Sequence, residues 1–279
     1  MKKLLALLLT LALAFALALP AVFAEEEDPR ITEVLAIIEE YNATHGGTGA
    51  LSASYKPERT YYRWTITGEV IGATKGIAFS NRSAANWNAT LIGETQGEPM
   101  LKGFSSISIL GGEIKTNGLA VESIMVSISQ GSISGNEAIR ASSILINGGT
   151  VIGNANVVTI GAANFIASGG IFTGRICCED GSVYLSENAV VNVAALSAKS
   201  VLISDEAQLH FIGDGSVTVS GDTYISIRAK ITGNSARTFI SDATLEYDHA
   251  YYPLKFIWTG PIVQFILRWV FFPQAMLSR

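Results

Sequence analysis

From Phe104 to Ile240 an apolar residue, a short polar or glycine turn and a second apolar residue recur about once every twenty positions. The first position is filled by Ile109, Ile128, Ile146, Ala167, Leu185, Ile203 and Ile227, and its partner by Ile114, Ile133, Val151, Phe172, Val190, Leu209 and Ile231. A unit this short cannot enclose an apolar side alone, so the pattern constrains the chain to stack unit on unit. The expectation is an all-β parallel solenoid with about 18–22 residues per coil, spanning residues 48–250. Strands such as Ser143–Ile146 and Ser200–Ile203 are short and β-branched, with no competing helical period. Each coil then holds three short strands and three turns, stacked as three parallel sheets in a column on the order of 34 Å long for seven coils. The second turn often pairs glycine with asparagine, as in Asn117-Gly118, Gly135-Asn136, Gly153-Asn154 and Gly233-Asn234. These residues are expected to supply left-handed corners and coil-to-coil amide bonds.

The two ends depart from the repeat. Residues 1–24 carry Lys2 and Lys3, an apolar run from Leu4 to Leu19 and the small-residue pattern Val22-Phe23-Ala24, which predicts a signal peptide and a secreted or cell-envelope location. Residues 25–47 read as an acidic leader and an amphipathic helix. Asp28-Pro29 starts it, Ile31, Val34, Leu35, Ile38 and Tyr41 line one side, and Gly46-Gly47 stops it. An open solenoid end exposes core side chains and unpaired backbone, so this helix is expected to be its lid. Residues 51–103 alternate less cleanly and read as irregular first coils. Residues 251–279 form an apolar tail whose short C-terminal helix, begun at Pro261, serves either as a second lid or as a membrane-interfacial helix. In the latter case Trp258, Phe265, Arg268 and Trp269 would sit at lipid headgroups and residues 256–272 would touch the membrane surface.

Charge narrows the partners. The chain has 19 basic and 24 acidic residues, and loss of Lys2 and Lys3 leaves 17 against 24. With no basic run to follow a phosphate backbone, nucleic acid is not expected as a partner. Cys177 and Cys178 are adjacent and cannot staple distant coils, so one is expected to be buried and the other to lie at an edge. The histidines are scattered, so neither a metal site nor a cofactor is expected.

Chemistry on such a scaffold would use carboxylates at equivalent positions of neighbouring coils, about 5 Å apart. Asp180, Lys199, Asp222 and Asp242 occupy the turn before the first strand, and Asp222, Asp242 and Lys199 are the weak catalytic candidates. Glu187, Asp205 and Glu206 occupy the next turn. Aspartate is also a preferred turn residue in its own right, and that is the favoured reading here. For carbohydrate binding the candidates are Tyr61, Tyr62, Trp64 and Trp87, although alternation puts Tyr62 and Trp64 on one face and Tyr61 on the other.

The helix followed by coils such as Ile144-Leu145-Ile146-Asn147-Gly148-Gly149-Thr150-Val151-Ile152-Gly153-Asn154 resembles the right-handed parallel β-helix of the pectate-lyase-like superfamily, particularly its secreted bacterial surface proteins. The resemblance covers most of residues 30–250 and is one of architecture. It implies a superfamily of lyases, hydrolases, adhesins and stalks. Together with the residues, it leads to an expected function as a non-enzymatic adhesive or structural module touching glycans or envelope components. The alternative is a polysaccharide lyase or glycoside hydrolase.

Overall fold

The structure, a computed structural model, describes residues 28–80, 83–153, 158–160, 164–221, 223–225, 229–232, 238–241, 245–247 and 255–258. They form a parallel β-solenoid whose coils stack through three strand ladders. Down the first ladder the inward residues are Ile66, Trp87, Ile109, Ile128, Ile146 and Ala167, then Leu185 and Ile203, and the backbone of Ile225 pairs with Ile203 on the next rung. Down the second they are Val70, Leu91, Ile114, Ile133, Val151, Phe172, Val191 and Leu209, and the backbone of Ile231 pairs with Leu209 on the next rung. In the third they are Ile77, Leu101, Val121 and Ile139, and in later coils Ile176 and Leu196, with the backbone ladder continuing from Leu196 through residues 217, 239 and 256. These columns meet in one continuous core.

Four details differ from the sequence expectation. Val191, not Val190, fills the second column. Two consecutive valines suit either face, and a one-residue shift of register inverts which of them is buried. Ile225 pairs with Ile203 at the rung expected for Ile227, which lies outside the described residues; residues two apart share a face and alternation cannot choose between them. The first coils are more regular than expected: Ile66 and Val70 begin the same two columns that run through the later coils, with one register shift between Ile71 and Ala73.

Left-handed glycines also fall elsewhere: Gly112, Gly131, Gly149 and Gly170, with φ between 71° and 77°, turn the chain between the first and second ladders, and Gly72 and Gly103 turn it at other corners. Of the expected pairs, Asn154, Gly233 and Asn234 lie outside the described residues. At Gly135 the reason for glycine is proximity, since a Cβ there would lie 2.7 Å from the Gly118 carbonyl oxygen. Coil-to-coil side-chain bonds come mainly from hydroxyls: Ser127 to Ser108 at 3.0 Å, Ser168 to Asn147 at 2.8 Å and Asn192 to Thr173 at 3.1 Å.

The N-terminal end is closed by a helix, α1 (Pro29–Thr44), and a hairpin of β1 (Thr48–Pro57) with β2 (Tyr62–Ala73). Asp28 caps α1 by accepting from the Arg30 backbone N–H, and Gly46 at φ 77° turns the chain out of it. Ile31, Val34, Ile38 and Tyr41 are buried over the first coil, as a lid requires, while Leu35 remains exposed. β1 pairs antiparallel with β2; the other pairings among the described residues are parallel.

A free edge strand invites pairing with another chain, and α1 reaches across to block this one. The Asn42 carboxamide accepts from the Leu51 N–H and donates to the Leu51 carbonyl, both at 2.8 Å, as a strand residue would. His45 accepts the Gly47 N–H at 3.0 Å through Nδ1, and its Nε2 lies 3.2 Å from the Gly49 carbonyl.

At the other end, Lys255–Trp258 pairs parallel with Thr238–Ser241, so the sheet reaches into the segment assigned to the tail. The C-terminal helix expected from Pro261, with Phe265, Arg268 and Trp269, lies outside the described residues. No described helix is long and apolar enough to cross a membrane.

Candidate functional site

Because side chains alternate across each strand, every inward column implies an outward one. On the first ladder one outward column reads Thr65, Asn86, Ser108, Ser127 and Leu145, continuing through Ile166, Tyr184, Leu202 and Tyr224. Its first rungs are hydroxyls and an amide. Its later rungs are apolar or aromatic, ending at Tyr224, which is exposed. Two positions away, Arg63, Ala84, Ser106, Met125 and Ser143 form a second outward column.

The outward column of the third ladder carries alternating charge. Glu122 sits between Lys102, at 2.7 Å, and Arg140, at 3.3 Å, and Arg140 also grips Glu137 at 2.6 Å. The Lys102 ammonium is the main reason the Glu122 carboxyl lies below the usual carboxylate range, and Glu137 holds the Arg140 guanidinium in its charged form. All four side chains are satisfied by one another, which marks a structural ladder rather than a reactive centre.

Of the four aromatic candidates for carbohydrate binding, Trp64 and Trp87 are completely buried and offer no face to a ligand. Trp87 Nε1 donates to the Ala89 carbonyl at 2.9 Å, whereas Trp64 Nε1 has no hydrogen-bond partner. The half-buried tyrosines are engaged nearby. The Tyr62 hydroxyl donates to Asp28 at 2.9 Å, the Arg30 guanidinium lies 5.0 Å from its ring centroid, and Tyr55 packs edge-on against it. Asp28 is further bound by the Arg30 guanidinium at 2.6 Å, chiefly for which its carboxyl lies far below the carboxylate range. Tyr61 accepts a bond from Arg63 at 2.8 Å, with that guanidinium 5.7 Å from its ring centroid. Alternation along the hairpin signals the burial of Trp64; the clamp made by Asp28, Arg30 and Tyr62 joins residues 34 apart and leaves no local signal.

Among the catalytic candidates, Lys199 is an exposed residue of the strand Val190–Ile203, while Asp222 and Asp242 lie outside the described residues. Asp180 is exposed within the strand Phe165–Leu185, where the register shifts between Cys178 and Ser182. Glu187 and Asp205 take left-handed conformations, φ 51° and 54°, in stacked turns closed by Ala189 N–H to Ser186 O and Ala207 N–H to Ser204 O. The Asp205 carboxylate accepts from the Ser204 hydroxyl at 3.2 Å and from the Glu187 N–H at 3.5 Å, which is turn chemistry. Among the described residues no group of three or more His, Cys, Asp or Glu side chains is placed to hold a metal ion.

Cys177 is half-buried and Cys178 buried, and they are not joined in a disulfide. Burial is the main influence pushing both thiols up, away from the reactive thiolate. No protein family matches the chain, and neither a curated protein nor a solved structure does.

Proposed function

We propose that this chain is a non-enzymatic β-solenoid, secreted or held at a bacterial cell envelope, that serves as an adhesive or structural module and touches glycans along its flank. The observation that carries this reading is the outward column Thr65, Asn86, Ser108 and Ser127, repeated at about the 4.8 Å spacing of stacked strands. Hydroxyl and amide groups on a rigid, evenly spaced face suit the hydroxyl-rich edge of a polysaccharide. Each contact is weak and the repetition supplies the strength.

The aromatic rungs Tyr184 and Tyr224 further along the same column add apolar faces of the kind that pack against sugar rings. The test is a glycan array probed with the mature protein and with Asn86→Ala/Ser108→Ala. Binding weakened by the double variant supports the reading. Equal binding by both proteins, or none by either, removes the flank from it. Turnover of an array ligand, seen as new reducing ends or unsaturated products, would replace it with an enzymatic one.

A further inference from the structure

The corner where the third ladder turns into the first combines two features that the glycan reading does not use. At its start, β1 and β2 bring Lys56 directly opposite Arg63, two cations on one outer face. Like charges in that relation destabilise a hairpin, and a sequence keeps them at a cost unless an anion faces them. Arg59 is exposed in the connecting loop, so three cations gather there against one carboxylate, Glu58, which lies 3.5 Å from Arg63. The chain as a whole carries a net charge of -5, so this corner reverses the sign of the molecule.

The second feature follows along the same column. Arg63, Ala84, Ser106 and Met125 lie in register on successive coils, so Met125 is about 14 Å from the cations at the usual strand spacing. Met125 is 43% exposed and the adjoining Ile124 is 61% exposed, the largest value for any large apolar side chain described. The intervening side chains are small and uncharged. The nearest carboxylate in sequence, Glu122, is held by Lys102 and Arg140 on the third ladder.

We propose that this corner is a membrane-docking face for an anionic lipid surface, with Lys56, Arg59 and Arg63 at the headgroups and Ile124 and Met125 dipping into the acyl boundary. Cations beside protruding apolar side chains match that surface in both of its layers. The Tyr61 ring under Arg63 supplies an amphipathic side chain suited to the headgroup level. The inference is independent of the flank reading, because it uses the other outward column and does not require glycan binding.

Hydrogen exchange of the full chain on vesicles of phosphatidylcholine, with and without phosphatidylglycerol, tests it locally. Protection of residues 54–63 and 122–127 by the anionic vesicles alone is the expected result. Lys56→Glu/Arg59→Glu should weaken that protection by about thirtyfold or more in lipid concentration. Ile124→Ser/Met125→Ser should weaken it as well, with the circular dichroism of both variants unchanged. Absence of protection at these two segments overturns the proposal, even if vesicles bind elsewhere on the chain. Protection by a soluble acidic polysaccharide that resists the Ile124 and Met125 changes also overturns it, and makes the corner a glycan site instead.

Discussion

The coiled column and its N-terminal cap are held by different physics. In the column each rung repeats the one below: Ile109, Ile128 and Ile146 superpose, backbone bonds run from coil to coil, and a lost contact has like neighbours on either side. In the cap every polar contact occurs once. Asp28 meets Arg30 and Tyr62, Asn42 meets Leu51, His45 meets the backbone at Gly47 and Gly49, and the Tyr41 hydroxyl donates to the Lys75 carbonyl at 3.3 Å. Repetition makes the column tolerant of drift in its sequence, whereas the cap depends on a few side chains that close an end with no further coil to cover it.

The largest test strikes the column. Trp87→Ala empties a fully buried site between Ile66 and Ile109 and should destabilise the fold by about 3–5 kcal/mol, read as a lower denaturant midpoint for the whole chain. If only the hairpin melts, the column is less cooperative than its continuous core indicates.

Next comes the corner. Gly112→Ala adds a Cβ 2.1 Å from the Ala89 carbonyl oxygen at φ 73° and should cost about 2–3 kcal/mol. Glu187→Gly, at φ 51° in the corresponding corner of a later coil, should instead gain roughly 0.5 kcal/mol. Thermal midpoints that move the same way for both would contradict the corner assignment.

In the cap, Asn42→Ala orphans the Leu51 N–H and carbonyl at an edge, a local loss of about 1–2 kcal/mol. Hydrogen exchange should quicken in α1 and β1 while the later coils keep their protection. Uniform loss would mean that cap and column unfold as one unit.

The smallest effect is that of acid. The carboxyl of Asp28 binds its proton more weakly in the folded chain than in the unfolded one, so its contribution is complete above the ordinary carboxylate range and fades as pH falls below it. Near-ultraviolet circular dichroism of the tyrosines should report release of the clamp in that window, and Asp28→Asn should lose the transition.

How much of this was readable beforehand follows from the same contrast. A period of about twenty residues is a statistical signal, so the columns through Ile114, Ile133 and Val151 were visible in the residues alone. The period leaves a degeneracy at Val190 and Val191, where only the register of the pairing decides which is buried. The helix was readable because caps and apolar spacing are local. The contacts of Asn42, Tyr62 and Arg30 were not, since nothing in the identity of a surface tyrosine names a partner 34 positions away. The aromatic residues near the start were misleading for the opposite reason: a buried Trp64 and an exposed binding tryptophan look alike until the register of β2 is known.

The charge ladder on the third face bears on how such a chain can change over generations. Solenoids commonly lengthen or shorten by duplicating or losing a whole coil, and an isoleucine rung is indifferent to that event. Lys102, Glu122 and Arg140 are not indifferent. Removing the coil that bears Glu122 would set Lys102 against Arg140 on adjacent rungs, and copying it would stack two glutamates. The three residues therefore act as a counting mark that penalises a gain or loss of coils in this stretch and leaves the uncharged rungs beyond it as the easier place for the column to grow.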